Sequence, residues 1–69
     1  MKVRFVSEKA MNEYGEKDRH NKLVVERFGM NPFEVDTDPD CAWWDYLDEN
    51  GDIEFVFPRF EHHYFLTNV

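Results

Sequence analysis

The chain has 69 residues, with eight Lys and Arg against fifteen Asp and Glu, and a formal charge of -7. That length allows one small domain, and the acidic balance excludes the usual nucleic-acid binder, which needs a basic face to neutralise phosphates. An apolar content of 42% with twelve aromatics argues against disorder, and no apolar run approaches the length of a membrane span.

The stretch Met1 to Glu8 lacks the apolar core of a signal peptide, so a cytoplasmic protein with no membrane partner is expected. Cys41 stands alone, which leaves the core without an internal disulfide. Charge is segregated along the chain. Residues 1–27 carry seven bases and five acids, whereas Phe28 to Pro58 carries nine acids and no Lys or Arg. Such asymmetry is a functional signal in its own right.

Lys2 to Val6 alternates, with Val3 and Phe5 on one side, and reads as a strand. Ser7 suits a helix N-cap and Glu8 the first turn, where a negative charge meets the positive end of the helix dipole. Ala10, Met11 and Tyr14 share a helical face, and Leu23, Val24, Arg27 and Phe28 resume that spacing before Gly29. One helix over about 8–28 is expected, continuous or broken near Gly15, since Gly15 and the polar run Glu16 to Lys22 weaken its middle. A strand over Lys22 to Phe28 is the alternative, given its β-branched valines. Asn31-Pro32 marks a turn, Phe33 to Val35 a short extended piece, and Asp36 to Asp40 a loop.

Two readings compete for the next stretch. Asp38 as N-cap and Pro39 at the first helical position would start a helix, but Asp45, Asp48 and Glu49 would then crowd its negative end. The hairpin reading places a two-residue turn at Asn50-Gly51 between strands 41–48 and 52–57, and it is preferred. It pairs Glu49 with Asp52 and Trp44 with Phe57. One face then holds Trp44, Tyr46, Ile53, Phe55 and Phe57, and the other Trp43, Asp45, Leu47, Glu54 and Val56. Pro58 ends the second strand, and aromatic Phe60 to Leu66 reads as a last strand. The expected fold class is α+β: a helix packed on a small antiparallel sheet, forming a single small acidic domain over 1–69.

Sites for chemistry are weak. Asp36, Asp38 and Asp40 match the start of a calcium loop, but Cys41 and Leu47 stand where Gly and a bidentate Glu belong. His62 and His63, being adjacent, point apart on a strand or helix, so zinc shared with Cys41 or His20 is not expected and partly exposed strand residues are. Nearby aspartates disfavour a Cys41 thiolate, which leaves Cys41 the role of a small, half-buried apolar residue. No catalytic motif is present, and neither an enzyme nor a cofactor is expected; weak divalent-metal binding by the carboxylates is a minor alternative.

The acids remain. Placing like charges opposite one another weakens a small fold, which is more readily explained if the acids meet a cationic partner. Spaced at about 6.6 Å in an extended segment, Asp36, Asp38 and Asp40 approach the spacing of successive phosphates. The expected contact surface is Asp36, Asp38, Asp40, Trp43, Asp45, Leu47, Asp48, Glu49, Asp52 and Glu54. Its expected partner is a basic protein surface, one built to hold nucleic acid, and not nucleic acid itself. In size and charge alone the chain resembles the small acidic inhibitors with which bacteriophages disarm host nucleases and polymerases, which implies a DNA-mimicking role. An assembly protein docking through a sheet edge, including as a homodimer, is the alternative.

Overall fold

A computed structural model describes residues 1–40 and 42–69. The readings that fall on Cys41, its half-buried apolar role among them, lie outside these residues. The fold is α+β, and the described residues form two antiparallel three-stranded sheets, two α-helices and one 3-10 helix.

Strand β1 (Lys2–Phe5) buries Val3 and Phe5 and turns Lys2 and Arg4 outward. Ser7 accepts a hydrogen bond from the Ala10 amide at 3.0 Å and so opens α1 (Glu8–Lys17). The first helix runs past Gly15, and the break expected near it falls three residues later. Helix α1 ends at Asp18, whose backbone is extended and whose carboxylate accepts from the Asn21 amide at 2.9 Å to start α2 (Arg19–Phe28). Asp18 is therefore both the end of one helix and the cap of the next, a role suited to its short acceptor side chain. Gly15 lies within α1 and faces α2; a Cβ there would sit 3.2 Å from Val25 Cγ2, so glycine sets how closely the two helices approach. Lys22 to Phe28 is helical, and Gly29, at φ 55°, ends α2.

The buried amide of Asn21 donates from Nδ2 to the Tyr14 carbonyl at 3.0 Å. Tyr14 lies in the last turn of α1, whose carbonyls have no partner within the helix. Asn21 thus satisfies one of them across the helix corner.

The extended run Phe33 to Thr37 contains two short strands, β2 (Phe33–Glu34) and β3 (Asp36–Thr37). The first pairs with β1, and Val35 continues that ladder by exchanging hydrogen bonds with Met1 at 2.8 and 2.9 Å. The second pairs instead with β4 (Trp44–Leu47). One stretch of chain therefore belongs to both sheets, and the single expected sheet is two. The first has the order β2-β1-β6, where β6 is Phe65–Thr67; the second has the order β3-β4-β5, where β5 is Ile53–Phe57.

The hairpin forms, and its connection corrects the two-residue turn. The Asp48 amide donates to the Asp52 carbonyl at 2.8 Å and the Gly51 amide to the Asp48 carbonyl at 3.0 Å, leaving a three-residue loop of Glu49, Asn50 and Gly51. Gly51 takes φ 83°, the left-handed position that such loops reserve for glycine. The Asp48 carboxylate steadies the loop by accepting from the Asn50 and Asp52 amides at 2.9 and 3.0 Å. The extra loop residue shifts the pairing, so Leu47 faces Ile53, while Tyr46 faces Phe55, Asp45 faces Val56 and Trp44 faces Phe57. A bulge at Glu54 absorbs the difference and restores the expected register beyond it.

The expected strand over Phe60 to Leu66 is also corrected. Arg59–Tyr64 is a 3-10 helix, and only Phe65–Thr67 is strand. Tyr64 and Phe65 are neighbours in sequence and both buried, which an alternating strand does not allow. His62 and His63 are accordingly on this helix and not on a strand.

Aromatic rings fill the space between the sheets and the helices. Phe28 stacks on Phe33 at 3.9 Å, Phe57 meets Phe65 at 5.4 Å, and Phe5 meets Tyr14 at 5.3 Å. The Tyr14 hydroxyl donates to Glu61 Oε1 at 3.2 Å, tying α1 to the 3-10 helix. Burial, then the charge of Glu61, raises the Tyr14 phenol above its ordinary value of 10.0, while burial holds the Glu61 carboxyl above its usual range against the pull of that same hydrogen bond. The fold thus favours the neutral phenol. Its contribution is whole below the unfolded-state pKa and is lost as pH climbs past 10.0. Urea titrations from pH 8 to 11 are expected to show a stability loss that the Tyr14→Phe variant lacks over the same window.

Candidate functional site

Alternation along β4 and β5 turns Trp44, Tyr46, Phe55 and Phe57 towards the core, with both phenylalanines fully covered or nearly so. The other face of the second sheet is open. Asp45 lies there, cross-strand from Asp36 on one side and from Val56 on the other. Asp36, Asp38, Trp43 and Asp45 line one shallow pocket of about 250 Å³, with Thr37 beside them. That volume is below the range of enclosed small-molecule sites. It reads as part of a surface.

Charge on this face is uncompensated. Among the described residues two ion pairs form, from the Met1 amino group to Glu34 and from Arg27 to Glu54. Asp36, Asp38 and Asp45 take part in neither. Oδ1 of Asp45 is shielded from water and accepts no hydrogen bond from the described residues, a costly state for a carboxylate oxygen. Asp36 and Asp45 moreover face each other directly, and paired like charges destabilise a sheet. The Asp36→Asn variant is therefore expected to melt at a higher temperature than the parent in low salt. That gain shrinks above about 0.15 M salt, where screening extends over about 8 Å. Thermal melts at two ionic strengths check it.

The other expected residues are placed differently. Asp40 leaves the extended row: its amide donates to Asp38 Oδ1 at 2.9 Å in a tight turn. That turn stands where a helix opening at Asp38 would have begun. Asp48, Glu49 and Asp52 gather at the hairpin tip, where Asp48 serves the loop and Glu49 no longer pairs with Asp52. Glu54 is drawn away altogether. Its carboxylate grips the Arg27 guanidinium of α2 in a two-pronged pair, with Nη1 to Oε1 at 2.9 Å. The open groove between α2 and β5 contains this pair, with Glu26 on its rim.

Bulging at Glu54 has a second effect. Ile53, expected in the core, is 59% exposed and pairs with Leu47 on the open face. One carboxylate is thus lost from that face and one isoleucine gained. Together with Val56, Ile53 is a surface residue that the sequence did not assign to the site. Its placement follows from the three-residue loop, whose extra residue shifts the pairing at Ile53.

Of the two indoles, Trp43 is 48% exposed on this face, and Trp44 packs against the core. The Trp44 ring stacks on His62 at 3.6 Å, and His62 Nε2 lies 2.7 Å from the Phe57 carbonyl oxygen. Among the described residues no three His, Cys, Asp or Glu side chains are arranged to hold a metal ion. Nor is any helix long and apolar enough to cross a membrane. Comparison with known proteins returns no match to a family model, a curated protein or a solved structure.

Proposed function

We propose that this chain is a non-catalytic acidic binding protein that occupies a basic surface of another protein, one that normally holds DNA or RNA, and inhibits it by occupancy. The reading is carried by one observation. Asp36, Asp38 and Asp45 share a face with the exposed Trp43 indole, and none of the three forms an ion pair among the described residues. Unpaired negative charge accelerates encounter with a cationic surface, and an indole at its centre lengthens the life of the complex. The cost to the chain's own stability, visible in the opposed Asp36 and Asp45, is consistent with a surface kept for binding.

The test is capture from cell lysate on the immobilised chain, eluted over a salt gradient and then with duplex DNA. Nucleic-acid-binding proteins should be retained, should elute as salt rises, and should be displaced by DNA. An Asp36→Asn, Asp38→Asn, Asp45→Asn variant should retain none of them. Retention of the same proteins by that variant would sink the reading. Retention of the chain itself, insensitive to salt, would favour assembly through the free edge of β5.

A further inference from the structure

The open face of the second sheet is not purely acidic. Leu47, Ile53 and Val56 share it with Trp43, and each is at least a third exposed. These four side chains border the aspartates on β3 and at the middle of β4. Cationic groups alone on the partner would leave this apolar row without a counterpart. We infer that this face docks an amphipathic basic helix of a partner protein, its apolar stripe on Leu47, Ile53 and Val56 and its lysines or arginines against Asp36, Asp38 and Asp45. The inference rests on the binding reading above and names the element that the partner presents.

Dimensions support a helix. Three strands of two, four and five residues, spaced about 4.8 Å apart, make a face of roughly 10 by 13 Å at its widest. A helix with its side chains is about 10 Å across and climbs about 5.4 Å per turn, so two to three turns cover that face. An added strand would instead seek the backbone groups of an edge, and the apolar groups here project from the face. Charge complementarity selects the sign of the partner. A second copy docked face to face would set Asp36, Asp38 and Asp45 against themselves, in a chain of net charge -7.

The experiment follows amide chemical shifts of the full isotope-labelled chain on titration with a synthetic helical peptide of leucines and lysines. About fourteen residues give the peptide roughly four turns, with all leucines along one stripe. Two controls are a peptide of the same composition with its leucines scattered, and hexalysine. The striped peptide should shift amides of β3, β4 and β5 and bind at least about tenfold more tightly than either control. A Leu47→Ser, Ile53→Ser variant, altered only at exposed positions, should keep its fold and lose about tenfold in affinity for the striped peptide. Equal binding of the three peptides, shifts confined to other surfaces, or undiminished affinity in the serine variant would each overturn the inference. So would shifts on this face that grow with chain concentration alone, which would assign it to a second copy. If the serine variant still captures basic proteins from lysate and the asparagine variant does not, helix docking fails while the basic-surface reading stands. If the asparagine variant binds the striped peptide as tightly as the parent in low salt, the role of charge fails as well.

Discussion

Replacing Phe57 with alanine is expected to leave the chain unfolded at 37 °C. The ring is completely buried, meets Phe33 and Phe65 of the first sheet at 5.7 and 5.4 Å, and stands cross-strand from Trp44. Removing a buried Phe ring costs about 3–5 kcal/mol through lost transfer energy and the cavity left behind. At about 0.05–0.15 kcal/mol per residue, a chain of this length has only about 3–10 kcal/mol in total. Cores below about 70–80 residues usually lie at the lower end. Far-ultraviolet circular dichroism at 20 and 37 °C checks the expectation, with Val56→Ala, on the opposite face of the same strand, as the control that stays folded.

The second large effect concerns Asn21, which is 3% exposed and has its amide aimed at the Tyr14 carbonyl. Asn21→Leu leaves that carbonyl buried and unpaired, at a cost of about 1–3 kcal/mol. Asn21→Asp is more telling because its volume is nearly unchanged. A carboxylate has no proton to donate, and it would place a buried negative charge against a carbonyl oxygen. Protonation restores a donor. The aspartate variant should therefore be markedly less stable than the parent at pH 7 and recover part of the difference at pH 4, as read from urea midpoints. The leucine variant should show no such recovery.

The features legible in the sequence were those set by neighbours along the chain. Ser7 and Gly29 mark helix ends by their own side chains or by the lack of one, and Asn50-Gly51 marks the hairpin by the conformations it tolerates. Asp18, a short acceptor three residues before the Asn21 amide it caps, is a signal of the same local kind, whereas Gly15 is a weak helix former that the helix nevertheless contains. Its reason for being glycine is a neighbour ten positions on, Val25. Phe33 to Thr37 changes partners midway, between β1 and β4, and so depends on chain distant in sequence. Glu54 is displaced by the three-residue loop beside it, and Tyr64 and Phe65 are both buried because a 3-10 helix precedes β6.

The candidate face follows that division. Trp43, Asp45 and Leu47 could be placed together from strand alternation and the Trp44–Phe57 register, which the structure retains; Asp36 and Asp38 join them through the β3–β4 pairing, which the loop reading of Asp36 to Asp40 did not contain. Asp40, Asp48 and Glu54 could not be sorted from them by charge. A carboxylate that accepts two loop amides, or that clasps an arginine, is indistinguishable in sequence from one facing solvent.

The run from Phe33 to Thr37 gives the molecule one further property. Because its two halves hydrogen-bond to opposite neighbours, with Val35 at the crossover, neither sheet can be peeled away without disturbing the other's seam. A pull exerted on the acidic face is thereby passed along a continuous backbone to β1. That face, though built from strands of only two to five residues, is braced by the first sheet as well as its own.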